Sequence, residues 1–218
     1  MDVYIPYRSE NPKTRLSPSL SRDERRGLSR AMLIDVYETV VNAGHNPIVL
    51  ATESVSLDVR TTILTEPLSE AVNSVLPTNG GDQTRKSDVA TDPTAVVMAD
   101  LGLLTVDAIE RLFEPDSALV IAPGQRGGTN ALVSRSRDFY VDYHGASFRD
   151  HREIASANGI DIAEVDSFRL ACDIDEPSDL VDLFLHGQGK AGRYLRDRFW
   201  IDDEGGTVTV RKDSSENR

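Results

Sequence analysis

The chain has 218 residues, a formal net charge of −12 and a hydrophobic content of 39%. This length suits one α/β domain, and the hydrophobic content is sufficient for a buried core. No apolar run approaches the roughly 20 residues of a membrane span, so we expect a soluble, cytoplasmic protein without a membrane partner. The acidity disfavours nucleic-acid binding, because affinity for nucleic acid depends on clustered Lys and Arg.

The charged residue types are used unevenly. Lys occurs 4 times and Arg 20 times, while Asp outnumbers Glu by 23 to 13. We expect such an Asp-rich, Lys-poor surface of a protein that stays soluble in very high salt, and an ordinary acidic protein is the alternative. Cys172 is the single cysteine, which excludes a disulfide framework and a cysteine-rich zinc site.

Apolar segments alternate with amphipathic segments along the chain, which predicts strands joined by helices in a mostly parallel sheet. The predicted strands are 3–5, 48–51, 62–64, 94–98, 118–122, 139–143, 162–165 and 168–172. Helices are predicted between a capping box at Ser21 and Gly44, over 67–76, over 105–113, from a cap at Ser147 to 159, from 177, and over 189–200. We predict one domain over 1–200 with a mobile insertion over 77–93, and a polar, frayed tail over 201–218.

Three polar segments follow predicted strands. They are residues 6–15 after the first strand, Asp100 after the fourth, and the Gly-Gly-Thr loop at 127–129 after the fifth. Ligands of open α/β sheets bind outside the carboxyl ends of the strands. We therefore expect one site at this edge of the sheet.

The first of these segments is basic. Arg8, Lys13 and Arg15 lie within eight residues, in a chain that otherwise hardly uses Lys. Lys supplies a point charge and Arg a planar fork, which together suit a triphosphate. A solvated basic loop is the alternative.

Carboxylates occur at two further places. Asp100 follows a wholly apolar strand, where it is either a magnesium ligand or a capping residue of a turn. Asp173 and Asp175 lie on one face of an extended segment, and two close carboxylates are costly unless a cation lies between them. The alternative is that these carboxylates interact favourably with the dipole at the start of the following helix. That role fits Asp175 and Glu176 better than Asp173.

The adjacent glycines Gly127 and Gly128 let the backbone approach a ligand and expose N–H donors to a phosphate or carboxylate, and a plain turn is the alternative. Ser147 is either a helix cap or part of an anion-binding helix start. For His144 and His151 a structural or surface role is favoured over metal binding. No Ser-His-Asp or Cys-His arrangement supports covalent hydrolysis.

Together these segments resemble a known family, the 2-phospho-L-lactate guanylyltransferases, which make a diphosphate precursor of the deazaflavin coenzyme F-420. The resemblance reaches to about residue 187 and rests on residues 11–17, 30–36, 99–104, 127–132, 147–151 and 173–180. It implies a three-layer α/β/α nucleotidyltransferase fold with a mixed, mostly parallel sheet, like that of nucleotide-diphospho-sugar transferases. It also implies a homodimer.

The resemblance assigns a role to each candidate residue. Magnesium is held by Asp100, Asp173 and Asp175. At the nucleotide side, Ser69 stands where a binding residue of the family is expected. The basic loop adds Arg8, Lys13 and Arg15 as expected nucleotide-binding residues, of which Lys13 and Arg15 are expected to be catalytic. The small phosphorylated acid is bound by Gly128, Thr129, Ser147 and the backbone at His144. The sequence departs from the family at Gly102, Gly124, Ser69 and His144, where proline, aspartate, asparagine and glycine are usual.

The implied reaction joins GTP to 2-phospho-L-lactate, giving lactyl-2-diphospho-5′-guanosine and pyrophosphate. It needs no general base, because a phosphate monoester is already an anionic nucleophile. One alternative is a related transferase that uses phosphoenolpyruvate, a pterin or a sugar phosphate as acceptor. Another is a catalytically degenerate nucleotide-binding scaffold.

Overall fold

The computed structural model describes residues 1–77, 93–203 and 208–212. Its main sheet contains β1 (Asp2–Tyr7), β2 (Asn46–Ala51), β3 (Thr61–Ile63), β4 (Thr94–Val97), β5 (Leu119–Pro123), β6 (Thr129–Ser134) and β7 (Ile162–Glu164). The helices are α1 (Arg22–Asn42), α2 (Leu68–Asn73), α3 (Val106–Phe113), α4 (Ser147–Ala157), α5 (Phe168–Ala171), α6 (Asp179–His186) and α7 (Lys190–Arg196).

The sheet order is β3-β2-β1-β4-β6-β5-β7. β1 pairs in parallel with β2 and β4, β2 with β3, and β5 with β7, whereas β6 runs antiparallel to β4 and β5. The carboxyl ends of β1, β4 and β5 and the amino end of β6 therefore meet at one edge. That edge is where the predicted polar segments lie.

The buried side chains alternate between the two faces of the sheet, as the period of two along a strand requires. Val97, Val120 and Val133 pack with α1 and α3 on one face. Val96 and Ile121 pack with α2 and α4 on the other face. This three-layer α/β/α arrangement with a mixed, mostly parallel sheet confirms the predicted fold class.

Helix α1 begins as predicted. The Ser21 hydroxyl accepts a hydrogen bond from the Glu24 N–H, and the Glu24 carboxylate accepts one from the Ser21 N–H. One apolar stripe of α1 covers the sheet, and Leu28 and Met32 pack against α6 and α7 in a separate cluster. The carboxylate of Asp35 on α1 accepts hydrogen bonds from the first two N–H groups of α7 at 2.7 and 2.8 Å.

Two predicted strands are wrong. Residues 139–143 form no strand, because side chains bond to their backbone: Asn73 bonds to both polar groups of Val141, and Ser69 accepts from the Tyr143 N–H. Residues 168–171 form the short helix α5. The Phe168–Cys172 run is apolar, and a short apolar run does not distinguish a strand from a helical turn.

The strand β6 was not predicted, because its polar first residues, Thr129 and Asn130, look like a continuation of the glycine loop. The cap of α4 also differs, since Ala146 occupies the cap position and Ser147 is the first helical residue. The last predicted helix ends at Arg196, and β8 (Phe199–Asp202) follows.

The predicted tail contains an antiparallel hairpin of β8 with β9 (Thr209–Lys212). Phe199 is buried and Val210 packs against the cluster of α6 and α7, so the chain is not frayed at these residues. The predicted insertion over 77–93 falls almost wholly on residues 78–92, outside the described part, and the domain division stays a prediction. Within the described residues, no helix combines the length and apolarity needed to cross a membrane.

Candidate functional site

Three of the predicted segments meet at the carboxyl edge of the sheet. The Lys13 Nζ donates to Asp100 Oδ2 at 2.5 Å and to Asp175 Oδ1 at 3.1 Å. Arg15 donates to the other oxygen of Asp175 at 2.8 Å. The Ile174 N–H donates to the Asp100 carbonyl at 3.1 Å, which joins the end of β4 to the acidic segment. Basic loop and carboxylates thus form one charged cluster.

Lys13 is held tightly in this cluster. Its side chain is only 10% exposed. Burial alone would lower its pKa, but the charges of Asp100 and Asp175 and their hydrogen bonds outweigh burial and raise the pKa. Its backbone lies in the left-handed region, with φ 55° and ψ 48°, which costs a non-glycine residue on the order of 1–3 kcal/mol unless its surroundings hold it there. Such backbone strain is typical of functional loops.

Arg25 on α1 supplies that support. Its buried guanidinium donates to the Pro12 carbonyl at 3.3 Å, to the Leu20 carbonyl at 3.1 Å and to Asn11 Oδ1 at 3.3 Å. Asn11 and Lys13, on either side of Pro12, are the two non-glycine residues with positive φ in the described ranges. Arg25 therefore fixes the loop conformation that carries Lys13, and we call it a positioning residue.

The remaining carboxylate oxygens fit a cation. Asp100 Oδ1 is buried without a hydrogen-bond partner. Burial, and next the charge of Asp100, raise the pKa of Asp173 and outweigh the Asn130 hydrogen bond and the charge of Lys13, which lower it, as expected of neighbouring carboxylates. Asp173 Oδ1 accepts from the Asn130 amide at 3.2 Å. A hard cation with oxygen ligands, such as Mg²⁺, satisfies this donor set.

The three predicted metal ligands are not equivalent, however. In the ranges 1–77, 93–203 and 208–212, no group of three or more His, Cys, Asp and Glu is arranged to hold a metal. Both oxygens of Asp175 are bound, by Lys13 and Arg15, whereas Lys13 binds only one oxygen of Asp100 and leaves Oδ1 without a partner. Asp100 and Asp173 are therefore the two carboxylates that fit a cation best.

The acidic segment is itself supported by Asp179 at the start of α6. Asp179 Oδ2 accepts from the N–H groups of Asp175 and Glu176 at 2.9 and 2.7 Å, and Arg126 donates to Asp179 Oδ1 at 2.6 Å. Burial alone would raise the pKa of Asp179, but these hydrogen bonds, that of Arg126 first, lower it. Arg126 belongs to the glycine loop between β5 and β6, so it ties that loop to the acidic segment.

The glycine loop is a tight turn closed by its own backbone. The Gly124 N–H donates to the Gly128 carbonyl at 2.8 Å and the Gly127 N–H donates to the Gly124 carbonyl at 3.0 Å. Position 127 favours glycine, because its φ is +82°, in a region that residues with a side chain rarely adopt. The first residue of β6, Thr129, donates its N–H to the Ser147 hydroxyl at 3.0 Å. The structure thus brings Gly128, Thr129 and Ser147 together.

Two cavities flank the cluster. One, of about 540 Å³, lies beyond the ends of β1, β2 and β3 and is lined by apolar side chains together with Arg8, Glu10 and Glu66. The other, of about 360 Å³, is lined by Arg8, Lys13, Asp100 and Asp175. Arg8 lines both cavities, so a ligand that fills both would pass beside its guanidinium.

Two predicted binding residues are used differently. The Ser69 hydroxyl accepts from the Tyr143 N–H at 2.8 Å, and Ser69 lines neither cavity, although its neighbour Leu68 does. The His144 side chain is 75% exposed and contacts Asp142. Neither side chain joins the charged cluster, and the assignment of Ser69 and of the His144 backbone stays a prediction.

At two glycines that depart from the family pattern, other residues occupy the space that a side chain would need. A Cβ on Gly124 would lie 2.5 Å from Asn130 Oδ1, so the Asn130 amide that contacts Asp173 occupies the place of that side chain. A Cβ on Gly102 would lie 2.9 Å from Leu183 Cδ1. Both departures are therefore built into the local packing.

Sequence reasoning missed four supporting residues, namely Arg25, Arg126, Asn130 and Asp179. The sequence contained a signal for Arg25, because it lies three residues before Leu28 on the apolar stripe of α1. A charged side chain at such a position is buried only when it has partners. Asp179 follows Asp175 by four residues across a proline turn, as a backbone-capping Asp can. Nothing in the sequence pairs Arg126 or Asn130 with the acidic segment.

Solved structures share this fold. A nucleotidyl transferase from Methanothermobacter thermautotroptrophicus aligns with a TM-score of 0.57 and 14% identity over 90% of this chain and 98% of its own. A structure from Desulfovibrio desulfuricans G20, assigned to the nucleotide-diphospho-sugar transferases, aligns with a TM-score of 0.67 and 13% identity over 90% and 94%. Identities this low carry the fold alone, and the predicted nucleotidyltransferase fold is confirmed.

Sequence comparison is more specific. The 2-phospho-L-lactate guanylyltransferase of Haloferax volcanii is 49% identical over 197 residues, which cover 90% of this chain and 91% of the relative. That of Natronomonas pharaonis is 45% identical over 213 residues, which cover 97% and 99%. The family model described as "Guanylyl transferase CofC like" matches residues 1–211. The chain belongs to this guanylyl transferase family.

Proposed function

We propose that this protein joins GTP to 2-phospho-L-lactate, forming lactyl-2-diphospho-5′-guanosine and releasing pyrophosphate, in coenzyme F-420 biosynthesis. Its membership of the guanylyl transferase family gives the reaction class, and curated relatives carry the name of this activity. The observation that carries the proposal in the structure is the buried Lys13 beside Asp100 and Asp175, at the edge where the glycine loop and the basic loop meet.

The basic loop would bind the triphosphate. Lys13 and Arg15 are already directed to this point by Asp175, and Arg8 lies between the two cavities. Their charges neutralise the departing pyrophosphate, which is the main electrostatic demand of phosphoryl and nucleotidyl transfer. Lys13 and Arg15 are thus the catalytic residues of the proposal.

The larger cavity would hold the guanine base. It has apolar walls from Leu50 and Leu64, and Glu10 and Glu66 are among its lining residues. A carboxylate accepts hydrogen bonds from the N1–H and N2–H groups of guanine, whereas adenine offers an acceptor at N1. The cavity chemistry supports guanine in preference to adenine.

The acceptor phosphate would lie near Asp100 and Asp173, with its carboxylate toward Gly128, Thr129 and Ser147. Mg²⁺, held by Asp100 and Asp173, would polarise the α-phosphate and offset the charge of the incoming phosphate. No protein base is required, because the nucleophilic oxygen of a phosphate monoester is ionised at neutral pH. The chain's own task is to align the two anions and to keep competing water out.

The test is an acceptor panel. The purified protein is incubated with GTP and Mg²⁺ at high salt, together with 2-phospho-L-lactate, phosphoenolpyruvate, a sugar phosphate or a pterin phosphate. Pyrophosphate release and product mass are measured, with EDTA and ATP as controls. Guanylylated 2-phospholactate that is lost with EDTA is the expected result.

Three outcomes contradict different parts of the proposal. No product with any acceptor favours the degenerate scaffold. Product with another acceptor only would reassign the substrate. Full activity in EDTA would show that the reaction does not require a metal.

A further inference from the structure

His151 on α4 is the one fully buried histidine among the described residues, and the proposed reaction gives it no role. Its ring lies edge-on to Tyr143 at 5.2 Å and to Phe139 at 5.8 Å between ring centroids. Both nitrogens make hydrogen bonds. The Nε2 is 3.0 Å from the Asp142 N, and the Nδ1 is 2.8 Å from the Thr129 hydroxyl oxygen.

These two contacts determine the tautomer. A backbone N–H can only donate, so Nε2 accepts the hydrogen bond from Asp142 and carries no proton. The neutral ring then holds its proton on Nδ1, which donates to Thr129 Oγ1. Burial lowers the pKa of His151 to about 4, in agreement with a neutral ring at neutral pH.

The consequence reaches the two hydroxyl groups beside the glycine loop. Thr129 Oγ1 accepts from His151, and Ser147 Oγ accepts from the Thr129 N–H. Each hydroxyl still has one hydrogen to donate, and within the described part of the chain neither hydrogen has an acceptor. Thr129 is the first residue of β6, next to Asn130, which contacts Asp173, and Ser147 contacts Thr129 from the start of α4.

We propose that His151 is a positioning residue, which forces the Thr129 hydroxyl to act as a hydrogen-bond donor toward an anionic group of the acceptor, beside the Ser147 hydroxyl that the Thr129 N–H orients in the same way. This inference rests on the proposed function for the identity of the acceptor. It explains why a histidine is placed there: an ionised or Nε2-protonated ring would lose the Asp142 contact, and in the neutral Nε2-protonated ring the Nδ1 would accept the Thr129 hydrogen. His151 does not touch the substrate in this scheme.

Two variants separate the two contacts of the ring. In His151→Asn the side-chain amide can replace the Nδ1 donor to Thr129. In His151→Gln the longer amide replaces Nε2 as the acceptor for Asp142 and leaves Thr129 without its donor. Both side chains are smaller than the ring, so the packing loss is similar in the two variants. His45→Gln, at a histidine that stacks on Phe113 away from the site, is the control.

Kinetics with 2-phospho-L-lactate as the varied substrate and saturating GTP give the first result. His151→Gln should raise the acceptor KM by about tenfold or more, while His151→Asn stays within about threefold of the unchanged protein. The KM for GTP should change little in both variants. Equal acceptor KM values in the Asn and Gln variants, or an equal rise in the KM for GTP, would overturn the proposal.

Nitrogen-15 NMR of the unchanged protein gives a second result that needs neither turnover nor a folded variant. The His151 ring should show a proton on Nδ1 and none on Nε2 at neutral pH, and its Nδ1–H signal should shift when 2-phospho-L-lactate is added with GTP. A proton on Nε2, a charged ring or an unmoved signal contradicts the proposal. If no product forms but the Nδ1–H signal still shifts, the proposed reaction is wrong and the inference about His151 stands.

Discussion

Asp173 is the residue whose substitution separates catalysis from folding most clearly. Its carboxylate is held by Asn130 at 3.2 Å, and burial with the nearby charge of Asp100 raises its pKa. A carboxyl group with a raised pKa in the folded state weakens that state at neutral pH, because the unfolded chain stabilises the ionised form better. Asp173 therefore lowers stability, as functional carboxylates often do.

We expect Asp173→Asn to reduce kcat at least about tenfold, a barrier change of about 1.4 kcal/mol or more, while the melting temperature stays equal or rises. The variant removes a ligand of the proposed cation and also a buried charge. Initial rates and thermal melts measure the two effects, with the exposed Asp107 on α3 changed to Asn as control. A variant with more than about a tenth of the original activity would remove Asp173 from the metal site.

His151 should make stability depend on pH. Its folded pKa is lowered from 6.5 to about 4, so the unfolded chain binds a proton that the folded chain does not between these values. The free energy of unfolding should therefore be highest above about pH 6.5 and fall by about 3 kcal/mol as the pH drops to 4. Urea unfolding at several pH values checks this. His151→Gln should show a shallower dependence over the same range, and an equal slope would contradict the assignment.

At the scale of elements, the segment between β1 and α1 is held from α1. Arg25 spans Asn11, Pro12 and Leu20 with one planar guanidinium, and Lys13 extends from the strained turn that results. A Lys at position 25 has a single ammonium on a flexible stem and cannot reach three separated acceptors. The basic loop therefore depends on a buried arginine of α1.

We expect Arg25→Lys and Arg25→Ala to lower kcat/KM at least about tenfold, and to lower stability by about 1–3 kcal/mol because buried acceptors lose their donor. Added guanidinium should partly restore the rate of Arg25→Ala. Arg135→Ala is the matched control, since Arg135 donates to the Ser117 carbonyl at the opposite end of β6. Stability loss without a change in kcat/KM would show that Arg25 supports the fold only.

Element patterns were informative where local rules decide the structure. The capping box at Ser21 and the apolar strand before Asp100 could be identified because each depends on neighbours in sequence. Residues 139–143 and the strand β6 could not be identified. Side chains of α2 satisfy the backbone of the first segment, and β6 pairs with the distant β4 as well as with its neighbour β5. Ser147 looked like a cap, but its hydroxyl is engaged by Thr129 from another element.

For the whole molecule, the net charge of −12 should make folding depend on salt. Self-repulsion of the carboxylates weakens the compact state at low ionic strength. Added salt also screens exposed ion pairs such as Arg149–Glu153, but each of these contributes only about 0–1 kcal/mol. Repulsion should therefore dominate.

The melting temperature should rise as KCl is increased from about 0.1 to 2 M, where the Debye length falls from about 10 Å to below 3 Å. Differential scanning fluorimetry of the protein, beside a control protein of near-zero net charge, measures the shift. A melting temperature that stays flat or falls would contradict the predicted salt adaptation.

The homodimer also stays a prediction. Light scattering after size-exclusion chromatography tests it in the same buffers.

The resemblance to the guanylyltransferases implied the three-layer class. The sequence patterns themselves determined strands that alternate with helices in a mostly parallel sheet, the location of the site at the carboxyl edge, and the basic and acidic segments that form it. These properties follow from periodicity, loop position and residue type, which are local. The tertiary structure decided that Lys13 lies between Asp100 and Asp175, that Arg25, Asn130 and Asp179 support them, and that His151 is fixed in one tautomer. Those contacts join residues far apart in the chain, and only packing of the elements sets the distance and burial on which their charges and hydrogen bonds depend.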